Sequence, residues 1–280
     1  MARIMRAFFA VAVLVLAACA QDPRPAQPLL GSGSGHAVDG SLFSLHCQYS
    51  HTNSDDPIIF PGQPGASHAH DFLGNDSTDA FSTYESLQGA TTKCQVTLDH
   101  AAYWIPALRR ADGTPLLPFG SLTYYRNGPG GSVAFPADMR LVARASSATG
   151  WACGNKEPFT PSIPDCTGKK DIRAHITFPS CWDGTPVNHV DDTAHVVMED
   201  AVTRACPAGF TTRLPKLALN VRYRGNPHTC VGCTLSSGAP STLHADFFNA
   251  WDQATLEKLV AEINAGVTCN AISDGDPCLS

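Results

Sequence analysis

The sequence predicts a mainly β fold, a disulfide-stapled β-sandwich or jelly-roll-like domain with one C-terminal helix. Short runs of β-branched and aromatic residues alternate with turn residues, which is typical of sandwiches and barrels. The 21 prolines and 23 glycines are spread over the whole chain and argue against long helices. With 43% hydrophobic residues, the chain has enough apolar material for one large core or two ordinary ones.

The predicted strands are runs in which β-branched and aromatic residues are frequent, and each run is bounded by Gly, Pro, Asn, Asp or Ser. They are Ser41–His46, Tyr103–Leu108, Ser121–Arg126, Met139–Ala145, Asp171–Phe178, Ala194–Met198 and Lys216–Tyr223.

One amphipathic helix is predicted over Gln253–Ala265, and we expect it to cover a face of the sheet. Asp252 is the expected N-cap, and Gly266 is expected to end the helix at the C′ position. The apolar residues that recur at i, i+3, i+4 and i+7 are Leu256, Leu259, Val260 and Ile263.

Residues 1–18 resemble the signal peptide of a bacterial lipoprotein. A basic start precedes the apolar stretch Ala7–Ala18, which is too short to cross about 30 Å of hydrocarbon. The stretch ends in Leu16-Ala17-Ala18-Cys19, which resembles a lipobox. We therefore expect Cys19 to be lipidated and to anchor the chain, outside the cytoplasm, to the bacterial cell membrane. The alternative is an ordinary secretory signal with a chance cysteine.

The remaining chain divides into a tether and a domain. Residues 19–40 are rich in Pro, Gly and Ser, a composition that cannot bury a core, and are predicted to be flexible. Residues 41–280 show no further change in composition and are predicted to form a single β-rich domain.

The charge balance excludes the usual kind of nucleic-acid binder. The formal net charge is -6, and the longest basic runs are the pairs Arg109-Arg110 and Lys169-Lys170. Binding to phosphates needs clustered cations, which this chain lacks.

Ten cysteines remain after Cys19, an even number that indicates up to five disulfides in an exported protein. Cys153 with Cys166, and Cys269 with Cys278, are plausible local pairs. Cys230 and Cys233 form a C-x-x-C motif in a loop of Gly, Pro, Ser and Thr. A thioredoxin-like site needs this motif at the start of a helix, and a four-cysteine zinc site needs a second such motif. Structural disulfides are therefore expected.

Histidine is the informative residue type. On a strand, residues i and i+2 face the same side, so three pairs should project together: His68 with His70, Arg173 with His175, and His244 with Asp246. Imidazoles presented in this way bind Zn or Cu. His68, His70 and His244 are candidate metal ligands, with Asp71 or Asp246 as a further ligand or supporting group. The alternative is that these imidazoles bind backbone groups and buried carboxylates.

Two catalytic interpretations need no metal. Arg173, His175, Tyr84, His68 and Asn75 supply the base, acid and anion-binding groups for β-elimination on a uronic-acid polymer. Paired carboxylates for glycoside hydrolysis would come from Asp55, Asp56, Asp71 and Asp246. Asp55-Asp56-Pro57 is also a common way to open a turn.

The segments His68–Asn75 and His244–Asn249 resemble each other, because each has His, then Asp-Phe, then Asn. They are either an internal repeat with two related strands at one site, or a coincidence over a few residues.

Seven motifs also resemble, in the same order, the family described as a domain of unknown function, DUF1996. They are Cys47–His51, Asp55–Ile58, Pro61–His70, Ser82–Leu87, Tyr103–Leu108, Arg173–Gly184 and Leu243–Asp252. The resemblance implies an exported protein of the kind found in actinobacteria and fungi, often attached to cell-wall modules. It implies no activity and no catalytic residue.

The expected function is that of a surface-anchored lipoprotein that binds or cleaves a cell-wall or environmental polysaccharide. The cleft would be lined by His68, His70, His175 and His244, with Asp246, Arg173 and Tyr84 as further catalytic candidates. A hydrolase or lyase is favoured over a pure binder, because sugar-binding faces usually have fewer imidazoles. The alternatives are a Cu- or Zn-binding surface module without catalysis, and a structural or adhesive wall protein.

Overall fold

The computed structural model describes residues 40–144, 148–155, 159–166, 171–188, 194–223 and 230–280. The predicted signal peptide, Cys19 and nearly all of the predicted tether lie outside the described residues.

The described chain contains fourteen strands and two α-helices. The strands are β1 (Leu42–Asn53), β2 (His70–Gly74), β3 (Ala102–Pro106), β4 (Leu108–Arg109), β5 (Gly120–Arg126), β6 (Arg140–Ala143), β7 (Thr149–Cys153), β8 (Ile172–Thr177), β9 (Cys181–Trp182), β10 (Val196–Val197), β11 (Thr212–Arg213), β12 (Lys216–Tyr223), β13 (Thr234–Leu235) and β14 (Ala245–Phe248). The helices are α1 (Tyr84–Gln88) and α2 (Gln253–Asn264), with short 3-10 helices at Pro240–Thr242 and Pro277–Leu279.

Nine strands form one antiparallel sheet in the order β6-β14-β3-β2-β1-β5-β12-β8-β7. The long strand β1 belongs to both halves, because its first part pairs with β5 and its last part pairs with β2. The register shifts between Tyr49 and Thr52, and such irregularities bend a strand. We define the first half of the sheet as β7, β8, β12, β5 and the start of β1. The end of β1 with β2, β3, β14 and β6 is the second half.

The two halves face each other across one hydrophobic core. Phe178, which follows β8, lies 6.2 Å from Phe247 of β14, measured between ring centroids. The hydroxyl groups of Tyr103 on β3 and Tyr125 on β5 are 2.6 Å apart. This arrangement confirms the predicted disulfide-stapled, mainly β fold of the sandwich type.

A buried chain of hydrogen bonds runs through this core. The Trp251 indole N–H donates to Tyr125 Oη at 3.0 Å, and the Tyr103 hydroxyl donates to Asp99 Oδ2 at 2.9 Å. All four side chains are fully buried. Burial raises the pKa of Asp99 to about 8, although the bonds from Tyr103 and the Ala101 N–H act in the opposite direction.

The C-terminal helix is confirmed as predicted. The Asp252 carboxylate accepts the Thr255 N–H at 2.9 Å as N-cap, and Gly266 has the positive φ of 91° that suits a C′ glycine. The four predicted apolar residues of α2 are all buried and belong to the main core.

The three central strands of the second half are buried on both faces, since every residue of β2, β3 and β14 is buried. The outer face of this half carries a second apolar cluster that includes Phe72, Trp104 and Phe248, together with Ile58 and Leu87. Ile58 comes from the β1–β2 loop and Leu87 from α1, so these two segments cover the sheet on this side.

Five disulfides join Cys47–Cys94, Cys153–Cys166, Cys181–Cys206, Cys230–Cys233 and Cys269–Cys278. Both predicted local pairs are confirmed, and the C-x-x-C cysteines pair with each other. This number of disulfides is consistent with an extracytoplasmic protein. In the described part of the chain, no helix has the length and apolar character needed to cross a bilayer.

Several elements differ from the sequence prediction. The elements additional to the predicted runs are β2, β7, β9, β11, β13, β14 and α1. The strand predicted over Ser41–His46 continues to Asn53, and Ala194–Met198 is a strand only at Val196–Val197. α1 has five residues, too few for a helical period to show in the sequence. The predicted strand end at Ala145 lies outside the described residues.

Candidate functional site

Three histidines meet on the outer face of the second half of the sheet. β2 and β14 both pair with β3, one on each side of it. His70 lies opposite Pro106, and continuing the β14 register by two residues places His244 at the same level. His68 lies in the β1–β2 loop, two residues before His70. We call His68, His70 and His244 the histidine centre.

The three imidazoles are in direct contact. The ring centroids of His68 and His70 are 4.3 Å apart, those of His68 and His244 are 5.1 Å apart, and those of His70 and His244 are 6.0 Å apart. One nitrogen of each ring lies within 4.8 Å of the other two. His70 is fully buried, whereas His68 and His244 are half-buried.

Backbone carbonyl groups fix the tautomers of two rings. His70 Nδ1 donates to the Asp55 carbonyl at 3.0 Å, and His244 Nδ1 donates to the Thr242 carbonyl at 2.9 Å. In a neutral imidazole, a proton on Nδ1 leaves a lone pair on Nε2. The Nε2 atoms of His68 and His70 are buried and have no hydrogen-bond partner in the described part of the chain.

All three imidazoles are held in the neutral form at pH 7. Burial and the neighbouring His244 lower the pKa of His68 to about 4. Burial and the neighbouring His68 lower the pKa of His70 to about 3. Burial also lowers the pKa of His244, while its bond to the Thr242 carbonyl acts in the opposite direction. The lone pairs are therefore free of competing protons at neutral pH.

Two carboxyl groups adjoin the centre on the side of His70. A carboxyl oxygen of Asp56, a carboxyl oxygen of Asp246 and a ring nitrogen of His70 all lie within 4.8 Å of one another. Burial, with Asp56 nearby, raises the pKa of Asp246 well above its usual range. Asp246 Oδ2 is buried without a hydrogen-bond partner in the described residues. Asp56 accepts the N–H groups of Ile58 and Ile59, so it also shapes the covering loop.

The two similar segments occupy equivalent places on either side of β3. His70 and His244 share one level of the sheet, and Asn75 and Asn249 share another, beyond the ends of their strands. Each asparagine amide donates to two backbone carbonyls. The Asp-Phe pair, however, is displaced by one residue between the segments. A one-residue displacement reverses the face that a side chain takes.

This displacement separates the two candidate aspartates. Asp246 lies on the face of the histidine centre, whereas Asp71 points to the opposite face, where its carboxylate accepts the Thr52 hydroxyl at 2.6 Å. Burial raises the pKa of Asp71 to about 6. Of the two alternatives for a further ligand, the structure brings only Asp246 to the centre.

Tyr84 lies on the same outer face but away from the imidazoles. It begins α1 and packs beside the second apolar cluster, with Asp138 and Asp252 nearby. Both aspartates lie toward the Asn249 end of β14, opposite to the His244 end. In the described residues, no hydrogen bond or ring contact joins Tyr84 to the histidine centre.

Arg173 and His175 lie on the first half of the sheet. They alternate along β8 with Ile172, Ala174 and Ile176, which face the main core. His175 Nδ1 is 2.8 Å from Asn220 Oδ1, and its ring stacks on Phe159 at 4.1 Å. Because the core separates the outer faces of the two halves, the single cleft expected to join His175 with His68, His70 and His244 does not form.

One protein family model covers the whole of the candidate site. A family model described as a domain of unknown function, DUF1996, matches residues 56–251. The chain belongs to the DUF1996 family. No curated protein and no solved structure matches it. The DUF1996 match begins at Asp56 and ends at Trp251, so it includes the histidine centre, Asp56 and Asp246.

Proposed function

We propose that this DUF1996 domain binds one transition-metal ion, Zn²⁺ or copper, through His68, His70 and His244. The observation that carries the proposal is the pair of imidazoles whose Nδ1 protons are bound by backbone carbonyls. Histidine ligands of metals typically donate the second ring N–H in this way, which fixes the ring and directs the Nε2 lone pair at the ion.

The donor set and its spacing favour these metals. Imidazole ligands suit zinc and copper, whereas Mg²⁺ and Ca²⁺ take oxygen ligands. Zn–N bonds of ~2.0–2.1 Å in a tetrahedral site place the nitrogens about 3.3 Å apart. The three candidate atoms already lie within 4.8 Å of one another, so small side-chain rotations complete the site. Burial raises the pKa of the Asp246 carboxyl, and a cation bound beside it would favour the ionised form and so gain a negative charge at the site.

The test is the metal content of the full chain, purified with its disulfides intact and dialysed without chelator. We expect about one equivalent of Zn or Cu in the wild-type protein by plasma mass spectrometry. His244→Gln should lose it, because one ligand is removed from a half-buried position. His175→Ala, which removes an imidazole from the other half of the sheet, should keep it.

Cobalt substitution gives a second measurement that does not depend on the metal taken up in the expression host. Co²⁺ held by three imidazoles should give the intense visible bands of a tetrahedral site, and His244→Gln should abolish them. A folded wild-type protein that retains no metal and gives no cobalt spectrum would refute the proposal. A metal content unchanged by His244→Gln would refute it equally.

A second candidate function is action of the bound ion on a polysaccharide at the cell exterior. The specific observation is that three ligands leave a coordination position, and that His68 and His244 are only half-buried. Catalytic zinc sites have three protein ligands and a bound water. Lipidation of Cys19 would place this activity at the membrane surface. Glycan cleavage that requires metal, and that His244→Gln abolishes, would support this candidate.

A further inference from the structure

A groove lies across strand ends of the first half of the sheet. It consists of two neighbouring cavities, of about 230 and 140 Å³, that share Asp171 and Arg222 in their walls. Together they reach the lower end of the ~300–1,000 Å³ typical of small-molecule sites. Asn155 and Arg173 also line the larger cavity. We call these four residues the basic groove.

The two arginines are an unusual pair. Arg222 on β12 lies directly opposite Arg173 on β8, and like charges in opposite positions destabilise a sheet. Neither takes part in an ion pair within the described residues. Arg173 is only 7% exposed, and the Nε atoms of both arginines are buried without a hydrogen-bond partner there. Arg222 donates to Asn155 Oδ1 at 2.8 Å. In a chain of net charge -6, this local excess of positive charge indicates an anionic ligand.

The other groups in the groove narrow the chemistry of that ligand. A guanidinium group matches the planar geometry of a carboxylate through paired N–H donors. The Asp171 carboxylate lines the same cavity, where it repels a doubly charged phosphate more than a singly charged carboxylate. It can also accept hydrogen bonds from hydroxyl groups, as can Asn155.

An aromatic ring stands beside the arginines. Phe159 is 43% exposed, and it is held in place between His175 and Arg173, whose guanidinium carbon lies 4.9 Å from the ring centre. Its faces are occupied by these two neighbours, so the exposed edge of the ring is what offers apolar contact to the C–H groups of a sugar.

We propose that the basic groove binds a uronic acid residue of a polysaccharide, with Arg173 and Arg222 on its carboxylate and Asp171 and Asn155 on its hydroxyl groups. This site lies on the opposite half of the sheet from the histidine centre and does not depend on metal binding there.

The test is calorimetric titration of the full chain with trigalacturonate and with the neutral galactose trimer, which lacks only the carboxylates. We expect saturable binding of trigalacturonate and at least tenfold weaker binding of the neutral trimer. Arg222→Gln should weaken trigalacturonate binding by about tenfold or more, because one charge-assisted contact is lost. Arg110→Gln makes the same charge change outside the groove and should leave the affinity within about twofold, since surface charges far from the ligand are screened.

Two further measurements keep the proposal refutable if Arg222→Gln is unstable. Asp171→Asn should increase the affinity for inorganic phosphate, whereas His244→Gln should leave trigalacturonate binding unchanged. Equal binding of the charged and neutral trimers would overturn the proposal. Phosphate binding to the wild-type chain as tight as that of trigalacturonate would overturn the uronate assignment, and so would loss of binding in His244→Gln.

Discussion

The buried hydrogen-bond chain in the core should make the Tyr125 hydroxyl a large contributor to stability. Tyr125→Phe keeps the ring and its stacking on Phe43, whose centroid is 4.4 Å away. It leaves the Trp251 N–H without an acceptor in a fully buried position, at a cost of about 1–3 kcal/mol. The Tyr103 hydroxyl keeps its bond to Asp99 but loses the hydrogen bond from Tyr125. The loss of that bond adds a cost of about 0.5–1.5 kcal/mol. Together the two costs should lower the free energy of unfolding by about 1.5–4.5 kcal/mol.

The assay is urea-induced unfolding followed by far-ultraviolet circular dichroism, with the slope of the transition unchanged. Tyr124→Phe is the matched control, since it removes the same hydroxyl group at the preceding residue of β5. The Tyr124 side chain is half-buried and lies on the face of the strand opposite to Tyr125. This control should change stability by less than about 0.5 kcal/mol. The reasoning fails if Tyr125→Phe costs no more than Tyr124→Phe.

Three other outcomes are expected. Burial raises the pKa of Asp99 to about 8 in the folded state, so its contribution to stability is complete below about pH 4 and is lost as the pH rises toward 8. This loss lowers the free energy of unfolding by up to about 1.4 kcal/mol per pH unit. In urea unfolding measured between pH 6 and 8, Asp99→Asn should remove that slope. Leu259→Ala in α2 should cost about 2–5 kcal/mol through a cavity, and exposed Glu257→Ala should cost less than about 0.5 kcal/mol in the same urea assay. Replacing Cys47 and Cys94 by Ala opens a loop of sequence separation 47, and thermal unfolding should show a loss of about 4 kcal/mol.

The sequence was informative about the histidine centre because strand periodicity is a local property. His68 with His70, and His244 with Asp246, were placed together by a spacing of two residues. The only sign in the sequence that β2 and β14 flank the same strand is the similarity of the segments His68–Asn75 and His244–Asn249. The displaced Asp-Phe pair shows the limit of that similarity, since Asp71 takes the opposite face from Asp246.

Pairing between distant strands could not be derived in the same way. Nothing in the sequence shows that β8 and β2 lie in different halves of the sheet, so the sequence alone predicts one cleft that includes His175. Arg222 has no signal in the sequence, because its significance depends on lying opposite Arg173 in the register of β12 and β8. The sequence around Asp56 indicates only a turn or a paired carboxylate. Its position beside His70 follows from the way the β1–β2 loop covers the sheet.

The histidine centre draws its residues from two ends of the domain, His68 and His70 from one and His244 from the other. Of these three ligands, the unfolded chain holds only His68 and His70 close together, and the complete set exists only after long-range strand pairing. An ion held by all three residues binds the native state in preference to the unfolded state and stabilises it by mass action. Under the proposed function, such an ion would be acquired after folding, in the oxidising compartment with which the five disulfides are consistent. The metal supply of that compartment, and not that of the cytoplasm, would then determine which ion the proposed site binds.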